Sequence, residues 1–308
     1  MAYSLPQAKK IRKRALEVGI PQAAADFIIT EESVKRAIRI AEGMKKLYDL
    51  EEPVEFCRKT NPDVSRWKSA EEDNRPVLVV PDLHAPYHHQ DAIEFLLWVQ
   101  EWRGCRERIV SVGDMFDFHS MSRFISETDA PSAKSEYRKA CEFAEEFSDV
   151  FPQGDMVLGN HDLIPQRQMD SIGLDTSMLK ANNKLYNLPD GWDIHPLYHV
   201  IEPDTWNVLV EHGIGSGGKY GCANTAKEKR CPYVQGHIHS AAAVIYSTNH
   251  ENTIFGLNVG CLVDSSSLAA RYGKYFTKKG VLGCGVIYSG EHAEFIPMST
   301  WRNHRKWF

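Results

Sequence analysis

The chain has 308 residues, 43% hydrophobic and 25% charged, with a net charge of −5 at pH 7. These proportions are ordinary for a globular protein, and the acidic balance argues against a surface built to coat nucleic acid. No apolar run reaches membrane-spanning length, and the basic start, Met1 to Arg14, lacks the apolar stretch of a signal peptide.

The charge is unevenly spread. Residues 1–70 carry 14 Lys/Arg against 10 Asp/Glu, and the remainder carries 22 against 31. A basic segment is therefore joined to an acidic body. Seven cysteines (57, 105, 141, 222, 231, 261 and 284) form no Cys-x-x-Cys pair. That spacing argues against structural zinc and a disulfide framework, and the expected setting is reducing and cytoplasmic.

In chain order, residues 1–49 read as helical. A basic helix over Lys9–Val18 closes at Gly19-Ile20-Pro21; the alanines at 23–25 and Thr30, as an N-cap ahead of Ser33 and Val34, follow. This arrangement resembles a helix-turn-helix, although Ile28 stands where that family usually has Gly. The resemblance implies DNA as a partner, with Glu32, Ser33, Lys35, Arg36 and Arg39 on the groove-facing side of the second helix. A small helical bundle docking on the body or on another protein is the alternative. Residues 50–74 are polar, carry Pro53 and Pro62, and read as a linker.

From Arg75 the pattern becomes α/β. Strands are expected over 76–81, 108–112 and 155–158, with helices over 91–102 and 133–150. Residues 163–205 read as a long irregular insertion on the substrate side, a length that in compact domains usually carries function. A short helix near 223–230 follows a Gly-rich turn, and β-like runs at 241–247, 253–259, 281–288 and 292–296 complete a main domain over 75–300. The end, 301–308, mixes Arg302, His304, Arg305 and Lys306 with Trp301 and Trp307. It suits either phosphate-backbone binding or docking on the body through its tryptophans.

Five short motifs carry the chemistry: Asp82-Leu83-His84, Gly113-Asp114-Met115-Phe116-Asp117, Gly159-Asn160-His161-Asp162, His212-Gly213 and Gly236-His237-Ile238-His239. Most follow an apolar run that reads as a buried strand, and open α/β sheets collect ligands at the carboxyl ends of their strands. Carboxylate, amide and imidazole groups in that position point to a metal centre. Two divalent ions about 3.5–4 Å apart need a shared anionic oxygen, for which Asp114 is the natural bridge. Asp82 and His84 can aim at one ion, His237 and His239 at one ion or one each, and Asn160 and His212 add an amide oxygen and an imidazole. His88, His89 and His119 read as solvated loop histidines, with lining of the substrate cleft as the alternative.

The ordered set resembles the calcineurin-like metallophosphoesterase superfamily over roughly residues 76–298. The resemblance implies an α/β fold, a four-layer α-β-β-α sandwich of two mixed β-sheets with a dinuclear metal site at strand ends. It implies that Asp82, His84, Asp114 and His239 hold one ion and Asp114, Asn160, His212 and His237 the other. It also implies that His161 is the general acid, oriented by Asp117. Those roles agree with the chemistry, since water held between two ions ionises near neutral pH and a histidine suits protonation of the leaving oxygen. Manganese is the first expectation for the two divalent ions, with iron, zinc or nickel as alternatives.

Phe116 and Asp162 resemble the repair-nuclease branch. The stretch Phe255–Asp264, with Gly283-Cys284-Gly285, is similar to phosphoesterases of bacteriophages and prophages, which implies the cytoplasm of a bacterial or phage-infected cell. The expected function is a phosphodiesterase or nuclease acting on nucleic acid or nucleotides, without membrane association. The alternatives are a phosphomonoesterase acting on proteins or small molecules, and a DNA-binding regulator with an incidental phosphoesterase body.

Overall fold

The computed structural model describes residues 5–27, 30–31, 33–35, 38, 75–122, 131–179, 182–202, 207–264 and 279–305. The chain forms two units, Met1–Glu55 and Phe56–Phe308. Glu32, Arg36, Arg39 and Ile28, the 50–74 linker, Lys306 and Trp307 lie outside the described residues.

In the first unit, α1 (Leu5–Val18) and α2 (Ile20–Phe27) meet at Gly19, whose φ of 84° permits the abrupt turn. Ile11, Ala15, Ala23, Ala24 and Val34 form a small apolar cluster, and Arg14 Nε donates to Asp26 Oδ2 at 2.6 Å. Thr30 caps the following turn, its Oγ1 accepting from Ser33 N–H at 3.2 Å.

The second unit is α/β, with two mixed β-sheets. The first runs β11-β10-β1-β2-β3-β4, where β1 (Val77–Val80), β2 (Ile109–Ser111), β3 (Gly154–Val157) and β4 (Trp192–His195) are parallel. Its antiparallel edge is β10 (Gly283–Ser289) and β11 (His292–Pro297). The second sheet runs β5-β6-β7-β9-β8, comprising β5 (Tyr198–Ile201), β6 (Val208–Glu211), β7 (Tyr233–Gln235), β8 (Ala242–Thr248) and β9 (Thr253–Val259). Here β6, β7 and β9 are parallel to one another.

Alternation along the strands divides the apolar residues between two faces. Val77, Val79, Val110, Val112 and Val157 of the first sheet meet Val208, Val210, Val234, Leu257 and Val259 of the second in one cluster. The opposite faces of the same strands, through Leu78, Val80, Ile109 and Met156, pack on α3 (Ala92–Arg103) and α4 (Ala133–Val150). In α4 the buried residues Glu136, Ala140, Phe143, Ala144 and Phe147 recur at helical spacing, and Ser132 caps the start. The short α7 (Gly221–Lys229) covers Leu209 and Tyr233 of the second sheet.

The expected irregular stretch at 163–205 is instead structured. It contains α5 (Ile164–Ser171), α6 (Asn182–Leu185), β4 and β5, so each sheet takes an edge strand from it. Four-residue strands bracketed by Pro189 and Pro196 show too little periodicity to be read from sequence. Burial of Trp192, whose Nε1 donates to the Phe151 carbonyl at 3.0 Å, anchors β4. At the chain end, α8 (Met298–Arg305) docks through buried Trp301, its ring 6.2 Å from that of Phe95, which favours the docking reading of residues 301–305. No helix among the described residues is long and apolar enough to cross a membrane.

Candidate metal centre

The five motifs begin where β1, β2, β3, β6 and β7 end. Because β1 to β3 are parallel, and β6 is parallel to β7, their carboxyl ends gather at one edge of each sheet. The edges are tied across: His212, after β6, places Nδ1 2.9 Å from the Val112 carbonyl after β2. His237, after β7, donates its backbone N–H to Asp82 Oδ2 at 2.9 Å.

Two groups of donors result. Asp82, His84 and His239 converge in one, with His239 Nε2 2.9 Å from Asp82 Oδ2. Asp114, His212 and His237 converge in the other, with His212 Nε2 3.1 Å from Asp114 Oδ2 and 3.1 Å from Asn160 Oδ1. Asp114 Oδ2 also lies 3.5 Å from His84 Nε2, so the same oxygen faces both groups. The structure thus brings together Asp82, His84, Asp114, Asn160, His212, His237 and His239.

The backbone around these ligands is tightly constrained. His84, Asp114 and His237 have φ of 51°, 47° and 64°. Left-handed backbone costs an L residue about 1 kcal/mol or more, so folding energy elsewhere holds three ligand side chains in strained geometry. Glycine is required where carboxylates press on the chain. A Cβ on Gly159 would sit 2.1 Å from Asp114 Oδ1, and one on Gly236 would sit 2.0 Å from Asp82 Oδ1.

The donor set fits divalent cations. His212 has Nδ1 against a backbone carbonyl and Nε2 directed at the oxygens of Asp114 and Asn160. His84 repeats this, with Nδ1 2.6 Å from Asp117 Oδ1 and Nε2 buried without a hydrogen-bond partner. Asp82 Oδ1 is likewise buried and unpartnered. Buried lone pairs that find no donor are costly unless a cation neutralises them. The titration behaviour has the same origin. Burial disfavours the charged form of His212, yet the adjacent Asp114 carboxylate dominates and pushes its pKa up. Burial also works against an ionised Asp114, but His212 and His84 hold its carboxyl below the usual range. Such a cluster draws positive charge to itself.

His161 forms a third candidate group with His84 and Asp114, its ring centroid 4.5 Å from that of His84. Its backbone N–H donates to Asp114 Oδ1 at 2.7 Å, and its ring Nδ1 lies 2.9 Å from Asp117 Oδ1. Burial lowers its pKa, but Asp117 and Asp114 reverse the effect and raise it to about 9. The ring is 30% exposed. Asp117 orients His84 as well as His161, a double role that spacing did not show.

Two further roles were not visible in the motifs. Asp162 is fully buried, its Oδ1 accepting from Phe116 N–H at 3.0 Å and its Oδ2 from Gly159 N–H at 2.9 Å. It clamps the Asp114 loop to the Asn160 loop. Tyr186 steadies it from behind, donating to the Asp162 carbonyl at 3.0 Å. Glu136 of α4 holds the turn after Asp117, accepting from the N–H groups of His119 and Ser120, each at 2.7 Å. His88 is not a solvated loop residue: its ring packs 3.8 Å from Phe143.

No known family model matches the chain, and no curated protein matches it.

Proposed function

We propose that this protein is a dinuclear metal-dependent phosphoesterase of the calcineurin-like type. Its sheets and flanking helices are read as a four-layer α-β-β-α sandwich. One observation carries the proposal: a single Asp114 oxygen lies between the Nε2 atoms of His84 and His212, whose Nδ1 atoms each face an acceptor that fixes the ring. That is the arrangement a carboxylate bridging two cations requires. Asp82, His84, Asp114 and His239 would hold one ion, and Asp114, Asn160, His212 and His237 the other. Bound there, two divalent ions would withdraw charge from a phosphate and lower the pKa of water.

The chain's own residues supply the remainder. His161 sits beside the bridge with Nδ1 against Asp117, so that its Nε2 proton would be the one given to a leaving oxygen. Asp162 keeps the loops of Asp114 and His161 in register. A phosphodiester is the first substrate class, on the strength of Phe116, Asp162 and the basic N-terminal segment; a monoester is the alternative.

The test is to strip the protein with chelator, restore manganese, and compare hydrolysis of bis-p-nitrophenyl phosphate with that of p-nitrophenyl phosphate. Faster cleavage of the diester is expected, whereas faster cleavage of the monoester moves the assignment to a phosphatase. Absence of both activity and bound ions overturns the proposal.

A further inference from the structure

The turn that carries Asn160 and His161 runs without a break into α5. Leu163 N–H bonds the Gly159 carbonyl at 3.3 Å, Ile164 N–H the His161 carbonyl at 2.9 Å, and Arg167 N–H the Leu163 carbonyl at 3.1 Å. Residues seven apart on such a spiral share a face, and helical side chains lean back toward the preceding turn. Arg167 does so: its Nη2 donates to the backbone carbonyl of Asn160. Asn160 in turn meets His212 through its side chain, so this face is the one that adjoins the candidate metal centre.

The surroundings of Arg167 differ from those of the arginines held in ion pairs. Arg14, Arg103, Arg108, Arg138 and Arg305 each pair with a carboxylate. Among the described residues no carboxylate lies within ion-pair distance of Arg167; partial burial lowers its pKa, and the Asp114 charge opposes this only in part. The side chain is exposed. One donor is spent on the Asn160 carbonyl, and among the described residues no other side chain meets the rest of the planar fork. That fork matches the oxygens of a phosphate.

We propose that Arg167 binds a non-bridging oxygen of the substrate phosphate, and so forms an anion subsite at the mouth of the centre. This inference rests on the phosphoesterase reading. It adds a directional expectation: a monoester dianion gains more from the guanidinium than a diester monoanion.

The test uses full-length wild type, Arg167→Gln and Arg167→Lys, each loaded with manganese and checked for bound ions per chain. Inorganic phosphate is then titrated calorimetrically, and KM and kcat are measured for both p-nitrophenyl esters. Gln retains a neutral donor for the Asn160 carbonyl while removing the charge. Arg167→Gln is expected to weaken phosphate binding roughly 10- to 100-fold, as loss of a charge-assisted hydrogen bond does. KM should rise, most for the monoester, with ion content intact, and Arg167→Lys should recover part of the loss. Phosphate affinity within about twofold of wild type overturns the subsite, as does loss of ions and kcat with phosphate affinity retained, which is the mark of a purely structural role. A wild type that takes up neither ions nor phosphate overturns the phosphoesterase reading, and this inference with it.

Discussion

Two clusters in the second unit combine aspartate with histidine at distances suited to a metal ion, and they differ in what their lone pairs touch. Around Asp114 the polar atoms are not all matched: Asp82 Oδ1 and His84 Nε2 are buried without partners, while His212 Nε2 is shared between two oxygens. Around Asp155, with His195 and His199, the same residue types are satisfied internally. Arg108 grips both Asp155 oxygens, Nε at 2.6 Å and Nη2 at 2.8 Å, and His195 Nε2 lies 2.8 Å from Oδ1. Arg108 also reaches Asp193 at 2.6 Å. The second cluster carries its own cation. Residue identity and proximity do not separate the two clusters; the lone pairs left without partners do.

The comparison breaks most readily at Asp114. Asp114→Asn should remove at least one ion and nearly all turnover, and metal analysis per chain reads this directly; two ions retained would defeat the bridging assignment. Next in size is His161→Gln, which should keep both ions while slowing turnover by roughly 10²–10⁴. Ion loss in that variant would make His161 a ligand.

The second cluster provides the converse test. Arg108→Ala should cost about 2–3 kcal/mol, because it leaves the buried Asp155 carboxylate without its cation, and chemical denaturation measures the loss. It should also bare the lone pairs of Asp155, His195 and His199, so that zinc titration finds an additional site absent from the parent. Unchanged zinc stoichiometry would show that lone-pair satisfaction is not what separates the clusters.

The smallest effect concerns pH. Burial lowers the His199 pKa to about 4, although Asp155 opposes this. The unfolded chain therefore binds a proton near pH 6.5 that the folded protein refuses until about 4. Stability should fall as pH drops through that window, by about 1–2 kcal/mol from this group after screening. Melting temperatures from pH 7 to pH 4 should decline less steeply in His199→Gln.

The convergence of the candidate ligands was legible because each occupies a short motif after an apolar run, where a strand ends and its loop is free to present a side chain. The helix over Ala133–Val150 was legible for a related reason, since its buried residues repeat at a period the sequence displays. The strands at Trp192–His195 and Tyr198–Ile201 were not, because four residues between prolines have no period to read. Nor was the Asp162 clamp, whose two partners lie 46 and 3 residues away.

By itself, then, the sequence determined the types and order of the candidate metal-binding groups and the α/β alternation that sets them at strand ends. Both are written in local composition. Which oxygen faces both donor groups, which imidazole nitrogen is bare, and which aspartate carries its own arginine were decided only by the tertiary structure. Protonation and metal binding depend on contacts a few ångströms long, between residues separated by dozens of positions in the chain.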